Sequence, residues 1–402
     1  MNSRRWPTIL LAVLAISAPF LLVLGLWLGG HPNSLPAPLR DVFVDQQIAD
    51  INEAMTDIER NYYRKPKQSK LTDDAINGAV VGLKDRFSNY FDAKQYASFL
   101  ESTSGAFSGI GLDVLGDPAG LKIQRVIPGA PAARAGLVAG DLVIAVNGAS
   151  IAGKSSDAAT ALIKGPPGTL VTLTISSDGK RRIVKVRRAR IEVPVVASTV
   201  ESVKGVKYGI DRLSSFTSGA HGELRQAIDS QLKAGAKAII LDLRGNGGGL
   251  LDEAVLVASI FIPDGTIVST DGRTRERQVY KATGGAISTK IPVAVLTDKG
   301  TASASEIVAA ALSERGRAKI IGTPTFGKGV FQEVMRLSSG GALDITVGEY
   351  FTPGGRNLGG GGVKQGKGIT PGMTAADLPK TTVDEAIQAA ILQLRKQLDA
   401  TP

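Results

Sequence analysis

The chain has 402 residues, a formal charge of +10, no cysteine and two histidines, His31 and His221. Thiol catalysis, zinc-thiolate sites and disulfides are therefore excluded, a histidine metal cluster lacks ligands, and a Ser-His-Asp triad would have to use His221. The length suffices for two or three domains with their own cores, and aromatics at 5% with no stacking pattern beside the basic residues argue against nucleic acid as a partner. The positive charge reads either as a solvated basic surface or as contact with an anionic membrane.

At the amino terminus, Arg4 and Arg5 precede an uncharged stretch from Thr8 to Gly30. Such a helix would be about 34 Å long, enough for a hydrocarbon core of ~30 Å. Trp6 and Trp27 stand near its ends, where interfacial indoles are expected, and the arginines orient the tip inward, placing the rest outside the cytoplasm. The alternative is a cleaved signal peptide, whose apolar region is usually shorter, roughly 7–15 residues, and ends in a small-x-small site. The expected boundaries are a cytoplasmic tip at 1–7, an anchor at 8–30, and a linker with a helical region over 31–103.

Val44, Ile48, Ile51, Met55, Ile58 and Tyr62 recur at spacings of three and four. They predict a helix with one apolar stripe, packed on the protein's own core or against a second copy. Residues 71–100 read as helical again. From 104 to 190 the pattern changes to short β-rich runs at 109–114, 121–126, 142–146, 170–175 and 182–186, with one helix at 155–163 and turns at Pro128-Gly129, Asn147-Gly148 and Asp178-Gly179. Seven of the eleven residues from Lys180 to Arg190 are basic, a pattern that suits an edge strand or a contact with anionic lipid. From 206 onward strands (237–243, 291–297, 318–321) alternate with helices (251–261, 303–312), which predicts α/β layering; a last helix spans 382–398.

Three segments carry chemistry. Thr301-Ala302-Ser303-Ala304-Ser305-Glu306 puts a serine between a strand and the first turn of a helix, whose amides point outward with partial positive charge. Ser303 is either a nucleophile or a helix cap completed by Glu306. Lys328 lies between glycines in Thr325-Phe326-Gly327-Lys328-Gly329, with Gln332 beyond. It is either a surface lysine or a base made neutral by burial. Asp242-Leu243-Arg244-Gly245-Asn246-Gly247-Gly248-Gly249 offers bare amides but lacks the Lys-Ser/Thr of a phosphate loop and fits a dinucleotide fingerprint poorly.

Together and in this order these segments, with Tyr350-Phe351-Thr352-Pro353-Gly354-Gly355-Arg356 and Gly366-Lys367-Gly368-Ile369-Thr370-Pro371, resemble the C-terminal processing (tail-specific) serine protease family. The resemblance runs from about residue 45 to 398. It implies an α/β protease core of mixed β-sheet and helices with crotonase/Clp-protease-like layering (191–379, then a C-terminal helix at 380–402) and an inserted, mostly β PDZ domain (104–190), to which the apolar stretch adds the expected N-terminal transmembrane helix. It implies Ser303 as nucleophile, Lys328 as general base, Gln332 as the residue orienting the lysine, and Ala304 with one of the pair Gly247 and Gly248 as oxyanion donors. Asp242 and Arg244 look structural in this pattern. Ser108, Gly109, Ile110, Gly111 and Leu112 match the PDZ loop whose successive amides hold a peptide carboxylate ahead of a strand edge. Lys164, in Ile163-Lys164-Gly165, stands where family members often carry arginine, so it is the candidate charge linking PDZ and active site. The resemblance implies no cofactor or metal; the partners it implies are protein C-termini, with a homodimer or higher oligomer and an activator protein as further candidates. The rival readings are a catalytically silent PDZ scaffold and a crotonase-like acyl-transfer enzyme.

Overall fold

The computed structural model describes residues 46–376 and 383–400, besides isolated positions 17 and 25. The expected anchor and linker lie outside the described residues, as does Val44. No helix among the described residues is long and apolar enough to cross a membrane.

Residues up to Lys84 form one unit and residues from Asp85 form another. The first contains helices Gln46–Asn61 and Gln68–Val81. On the former, Ile48, Ile51 and Ile58 of the predicted stripe are exposed. The helix expected over 71–100 is two helices in different units. The first ends at Val81, Lys84 takes a positive φ of 56°, and Asn89–Phe91 is a strand before the helix Ala93–Thr103. That strand owes its existence to pairing with Ala342–Asp344, a partner local periodicity cannot see.

The second unit is built on a six-stranded sheet in the order 196–203, 206–213, 238–242, 293–297, 319–322, 373–374. The first pair is antiparallel and the others are parallel. Ala238–Asp242 and Val293–Thr297 are buried throughout, as strands covered on both faces must be. Their residues alternate between two cores. Ile239, Leu241, Val293 and Val295 pack with helices Ala220–Lys233, Leu251–Ser259 and Ala304–Glu314. Ile240, Ala294 and Leu296 pack with Ala386, Ala390, Ile391 and Leu394 of the helix Glu385–Asp399. Each fully buried aliphatic side chain contributes roughly 1.5–3 kcal/mol. The C-terminal helix thus belongs to the core, and Arg244 ties its entry down by pairing with Asp242 and Asp384 at 2.8 and 2.7 Å.

A second sheet contains 89–91, 330–336, 342–351, 266–272 and 275–281, all antiparallel. The inserted module is a sheet in the order 112–117, 120–126, 142–146, 170–177, 180–187, with the helix Ser156–Ile163 against its first strands. Its core is Leu121, Ile123, Val143, Val171, Leu173 and Ile175, all fully buried. The basic run from Lys180 to Arg187 is its edge strand; buried Arg188 beyond it donates to the carbonyls of Ile163 and Leu162 at the end of the helix, and Arg190 lies in the next strand. The strand expected over 109–114 is broken: Ala106–Gly109 pairs with Ala189–Glu192 as a two-stranded neck, and Leu112–Asp117 joins the sheet. Gly111 makes the break, with φ 83° and a position where a Cβ would lie 2.3 Å from that of Ala130.

One buried polar cluster yields a stability prediction. Asp211 is fully buried, with Gln231 Nε2 at 3.0 Å, while Asp211 Oδ2 and Gln231 Oε1 have no hydrogen-bond partner. Burial, opposed by bonds from Ser198 and Gln231, pushes the Asp211 carboxyl up from 3.8 to about 6. A raised folded-state value means its contribution is complete below pH ~4 and is lost as pH rises through about 6. Asp211→Asn, which needs no buried charge, is expected to stabilise the fold at pH 7.5 by on the order of 1–3 kcal/mol and to have little effect at pH 4. Thermal melts at the two pH values check this.

Candidate active site

The candidate site lies at the carboxyl ends of the parallel strands 238–242 and 293–297, where open α/β sheets commonly bind ligands. After the first strand the chain runs through Gly245–Gly249 into the helix at Leu251; after the second it turns into the helix at Ala304. The two turns are stitched together. Asp298 Oδ1 accepts from the amides of Gly245, Gly300 and Thr301 at 2.9, 2.8 and 3.0 Å. Asn246 O accepts from Ala302 N and from Ser305 Oγ. Ser303 immediately precedes the helix with φ 56° and ψ −118°, a backbone conformation that costs a non-glycine residue about 1–3 kcal/mol and is tolerated where its surroundings impose it.

The imposing group is Glu306, which is fully buried. Its Oε2 accepts from Ser303 N and from Lys328 N, both at 2.9 Å, so these two amides are within about 6 Å of each other. Its Oε1 accepts from Gly327 N at 2.8 Å and from the Thr325 hydroxyl. One carboxylate therefore fixes the serine turn and the lysine loop relative to each other. The sequence showed Glu306 only as a helix-capping partner, because its second set of donors arrives from 19 and more residues away.

The Lys328 side chain donates to Gln332 Oε1 at 2.7 Å, and its ammonium nitrogen lies 4.7 Å from the centre of the Phe87 ring. Burial lowers the lysine below its usual 10.5; the carboxylates of Asp344, Asp85 and Glu306 oppose the fall and Arg86 adds to it. Ser303 is 7% exposed, and nearby Tyr350 is buried, which pushes its own ionisation well above the ordinary range. No hydrogen bond joins Ser303 to Lys328 Nζ. Sequence reasoning brought Ser303, Lys328 and Gln332 to one place but missed Phe87, Asp85 and Tyr350. Only Tyr350 left a signal, in its Tyr-Phe-Thr-Pro segment.

Backbone donors surround the serine. Gly248 packs so closely that a Cβ there would lie 2.9 Å from Ser303 Cβ and 3.0 Å from Ala304 N. Its amide is already engaged by Asn246 Oδ1 at 2.9 Å. The amides of Gly247 and Ala304 have no acceptor among the described residues. The geometry offers two free donors beside a buried hydroxyl and a desolvated lysine, the parts needed for acyl transfer. Among the described residues no group of acidic and histidine side chains is placed to hold a metal ion. His221 starts the Ala220–Lys233 helix, bonded to Glu253 at 2.8 Å.

In the inserted module, Leu112–Asp117 is an edge strand facing the helix Ser156–Ile163; a Cβ on Gly116 would lie 3.7 Å from Ser156 Cβ. Ile110 and Gly111 turn at the head of that strand, and Gly109 closes the neck. Lys164, after the helix, pairs with Glu101 at 2.6 Å, and Glu101 also accepts from Ser108 N at 3.4 Å. The lysine is thus held against the Ala93–Thr103 helix, not against Ser303. A cavity of about 780 Å³ opens here, lined by Glu101, Phe107, Ser108, Asp157 and Lys164 among others.

The model of peptidase family S41 matches residues 207–372, and that of the PDZ domain matches 122–177. A Staphylococcus aureus (strain MRSA252) protein named "Probable CtpA-like serine protease" is 35% identical over 352 residues, covering 84% of this chain and 69% of that one. The chain belongs to peptidase family S41. A Staphylococcus epidermidis protein of the same name is 35% identical over 319 residues, covering 79% of this chain and 63% of its own. Among solved structures, the photosystem II D1 C-terminal processing protease is 28% identical with a TM-score of 0.49, covering 83% of this chain and 89% of that one. This S41 chain is a serine protease of the C-terminal processing type with a PDZ domain.

Proposed function

We propose that the protein is a membrane-anchored, extracytoplasmic endopeptidase that captures protein C-termini on its PDZ domain and cleaves with Ser303 and Lys328. The observation carrying this reading is the single buried carboxylate of Glu306 that ties the backbone of both residues, with the lysine desolvated and held by Gln332. Neutral Lys328 takes the Ser303 hydroxyl proton as Oγ attacks the scissile carbonyl carbon. The amides of Ala304 and Gly247 hold the oxyanion; Gly248 N is spent on Asn246. The intermediate collapses, the C–N bond breaks, and Lys328 returns the proton to the leaving amine. Water, deprotonated by the same lysine, then hydrolyses the acyl-enzyme and the proton goes back to Ser303.

The edge strand Leu112–Asp117 can accept an extended peptide, with the amides of Ile110 and Gly111 at the carboxylate end. The Thr8–Gly30 stretch supports the anchor, and its flanking arginines support the orientation. The exposed stripe on Gln46–Asn61 is the candidate contact with a second copy. In the described state the Lys328 side chain is bonded to Gln332 and not to the Ser303 hydroxyl. This favours a second reading, a PDZ scaffold that binds C-termini without cutting, and equally a resting protease that a partner or peptide must align.

The test incubates the full chain in detergent with an unfolded protein ending in an apolar free carboxylate, and with its amidated twin, reading fragments by mass spectrometry. Cleavage of the first over the second, lost in Ser303→Ala, is expected. Carboxylate-dependent binding with no cleavage and no labelling by a serine-directed phosphonate would favour the scaffold. Cleavage surviving Ser303→Ala would overturn the dyad.

A further inference from the structure

Asn246 is fully buried in the glycine turn, and both ends of its amide and both of its backbone polar groups are bonded. Nδ2 donates to Leu213 O at 2.9 Å, and Oδ1 accepts from Gly248 N at 2.9 Å. The backbone N donates to Leu243 O at 3.2 Å. The carbonyl accepts from Ala302 N at 3.0 Å and from Ser305 Oγ at 2.9 Å. Leu213 ends the strand 206–213, while Ala302 and Ser305 flank Ser303 and Ala304. One residue is thus bonded to the sheet, to the glycines and to the serine turn.

The orientation of the Asn246 amide is fixed from both ends. Leu213 O only accepts and Gly248 N only donates, so the NH2 must face the first and the oxygen the second. The bond to Gly248 N closes a turn over two residues. It does so on a stretch of three consecutive glycines, 247–249, whose backbone is otherwise free to take many conformations. Behind that stretch Phe216 N holds Gly248 O at 3.0 Å. In front, the two turns come so close that a Cβ on Gly248 would lie 2.9 Å from Ser303 Cβ and 3.0 Å from Ala304 N. Asp298 joins the same turns at their entries, Gly245 with Gly300 and Thr301. Asn246 is the side chain that reaches the glycines beside Ser303.

We propose that Asn246 is a positioning residue that holds the glycine turn against the serine turn, so that amides from two separate segments converge on one developing oxyanion. Such donors must all lie about 2.7–3.1 Å from the same oxygen, a tolerance that bare glycines do not keep by themselves. Donors placed for a charge that exists only in the transition state act on kcat and leave substrate binding alone. A residue that merely supported the cleft would affect both. The inference rests on the Ser303–Lys328 reading above.

The test uses the full chain in detergent and a peptide taken from a cleavage site mapped in the unfolded substrate. The peptide is made in three forms: cleavable, ended before the scissile bond as a carboxamide, and ended there as a boronic acid. The carboxamide reads ground-state binding. The boronate takes the Ser303 oxygen and becomes tetrahedral, with an oxygen where the oxyanion would be. In Asn246→Ala, kcat is expected to fall about 10²–10³-fold, with KM and carboxamide affinity within about threefold of the wild type. Boronate affinity should fall about as far as kcat. Asn246→Ser, whose hydroxyl can close the same turn more weakly, should recover part of both losses. Ser305→Ala removes one of the two donors on the Asn246 carbonyl and should lower kcat about fivefold. Melting temperatures accompany each variant, and if Asn246→Ala does not fold the same ratio is read on Asn246→Ser. A folded variant with wild-type kcat, or one in which boronate and carboxamide weaken together, would overturn the inference while leaving the dyad standing. A wild type that neither cleaves nor takes the boronate would remove the dyad and the inference with it.

Discussion

Ser303→Ala and Lys328→Met are each expected to lower cleavage by at least about 10⁴-fold, with the double variant little worse than either, since nucleophile and base act as one unit. The two should differ in stability. Ser303→Ala keeps a backbone held at positive φ by Glu306, so it should change stability little. Lys328 is different, because burial depresses its ionisation below 10.5. A base with a lowered folded-state value is bound less well by the folded protein when charged, so its contribution is least favourable at neutral pH and improves as pH rises toward 10.5. Lys328→Met fills the same channel against Phe87 with no charge, and should melt at or above the wild-type temperature at pH 7. The wild-type rate should climb with pH and flatten below 10.5. Steady-state kinetics and melts on the three proteins check all of this. A lysine limb at or above 10.5 would count against a desolvated base.

Glu306 should produce the second largest loss, and a different kind. Glu306→Gln keeps the volume but replaces one oxygen by an NH2, which then faces two donors: Ser303 N with Lys328 N, or Gly327 N with Thr325 Oγ1. Each buried donor left without an acceptor costs about 1–3 kcal/mol. Glu306→Ala frees all four and should destabilise by about 3–5 kcal/mol or more. Because the same oxygen holds both backbones, catalysis should fall by about 10²–10³-fold in Glu306→Gln even at temperatures where the protein is fully folded. Comparing kcat with the fraction folded separates lost geometry from lost protein. A Glu306→Gln enzyme with near-normal kcat would show that the serine turn and lysine loop are aligned by other means.

How much of this was legible in the sequence follows from the range of each interaction. The strand-to-helix turn at Ser303, the Lys328–Gln332 spacing and the parallel strands at 238–242 and 293–297 leave local patterns of glycine, alanine and continuous apolar residues, and these are readable. The inserted module was legible for the same reason, apart from the break at Ile110-Gly111, which depends on a neck strand at 189–192. Which glycine amide is engaged and which is left without an acceptor was not legible, since it turns on which amide the Asn246 side chain takes. Nor was the strand at 89–91, or the placing of Asp85 and Phe87 beside Lys328. Three residues of strand carry no periodicity, and their partner lies about 250 positions onward.

That separation has a consequence for how the molecule is made. The candidate centre draws on 85–88, 245–248, 303–306, 325–332 and 344–350, and Ile369 N closes it by bonding the Thr325 hydroxyl that also serves Glu306. A chain still being synthesised has the serine long before it has the strand that brings Tyr350 and Thr346, and before the segment that seats Thr325. Proteolytic competence therefore arrives only when nearly the whole polypeptide has emerged and folded, so the growing chain and its neighbours are safe from it until synthesis is almost complete.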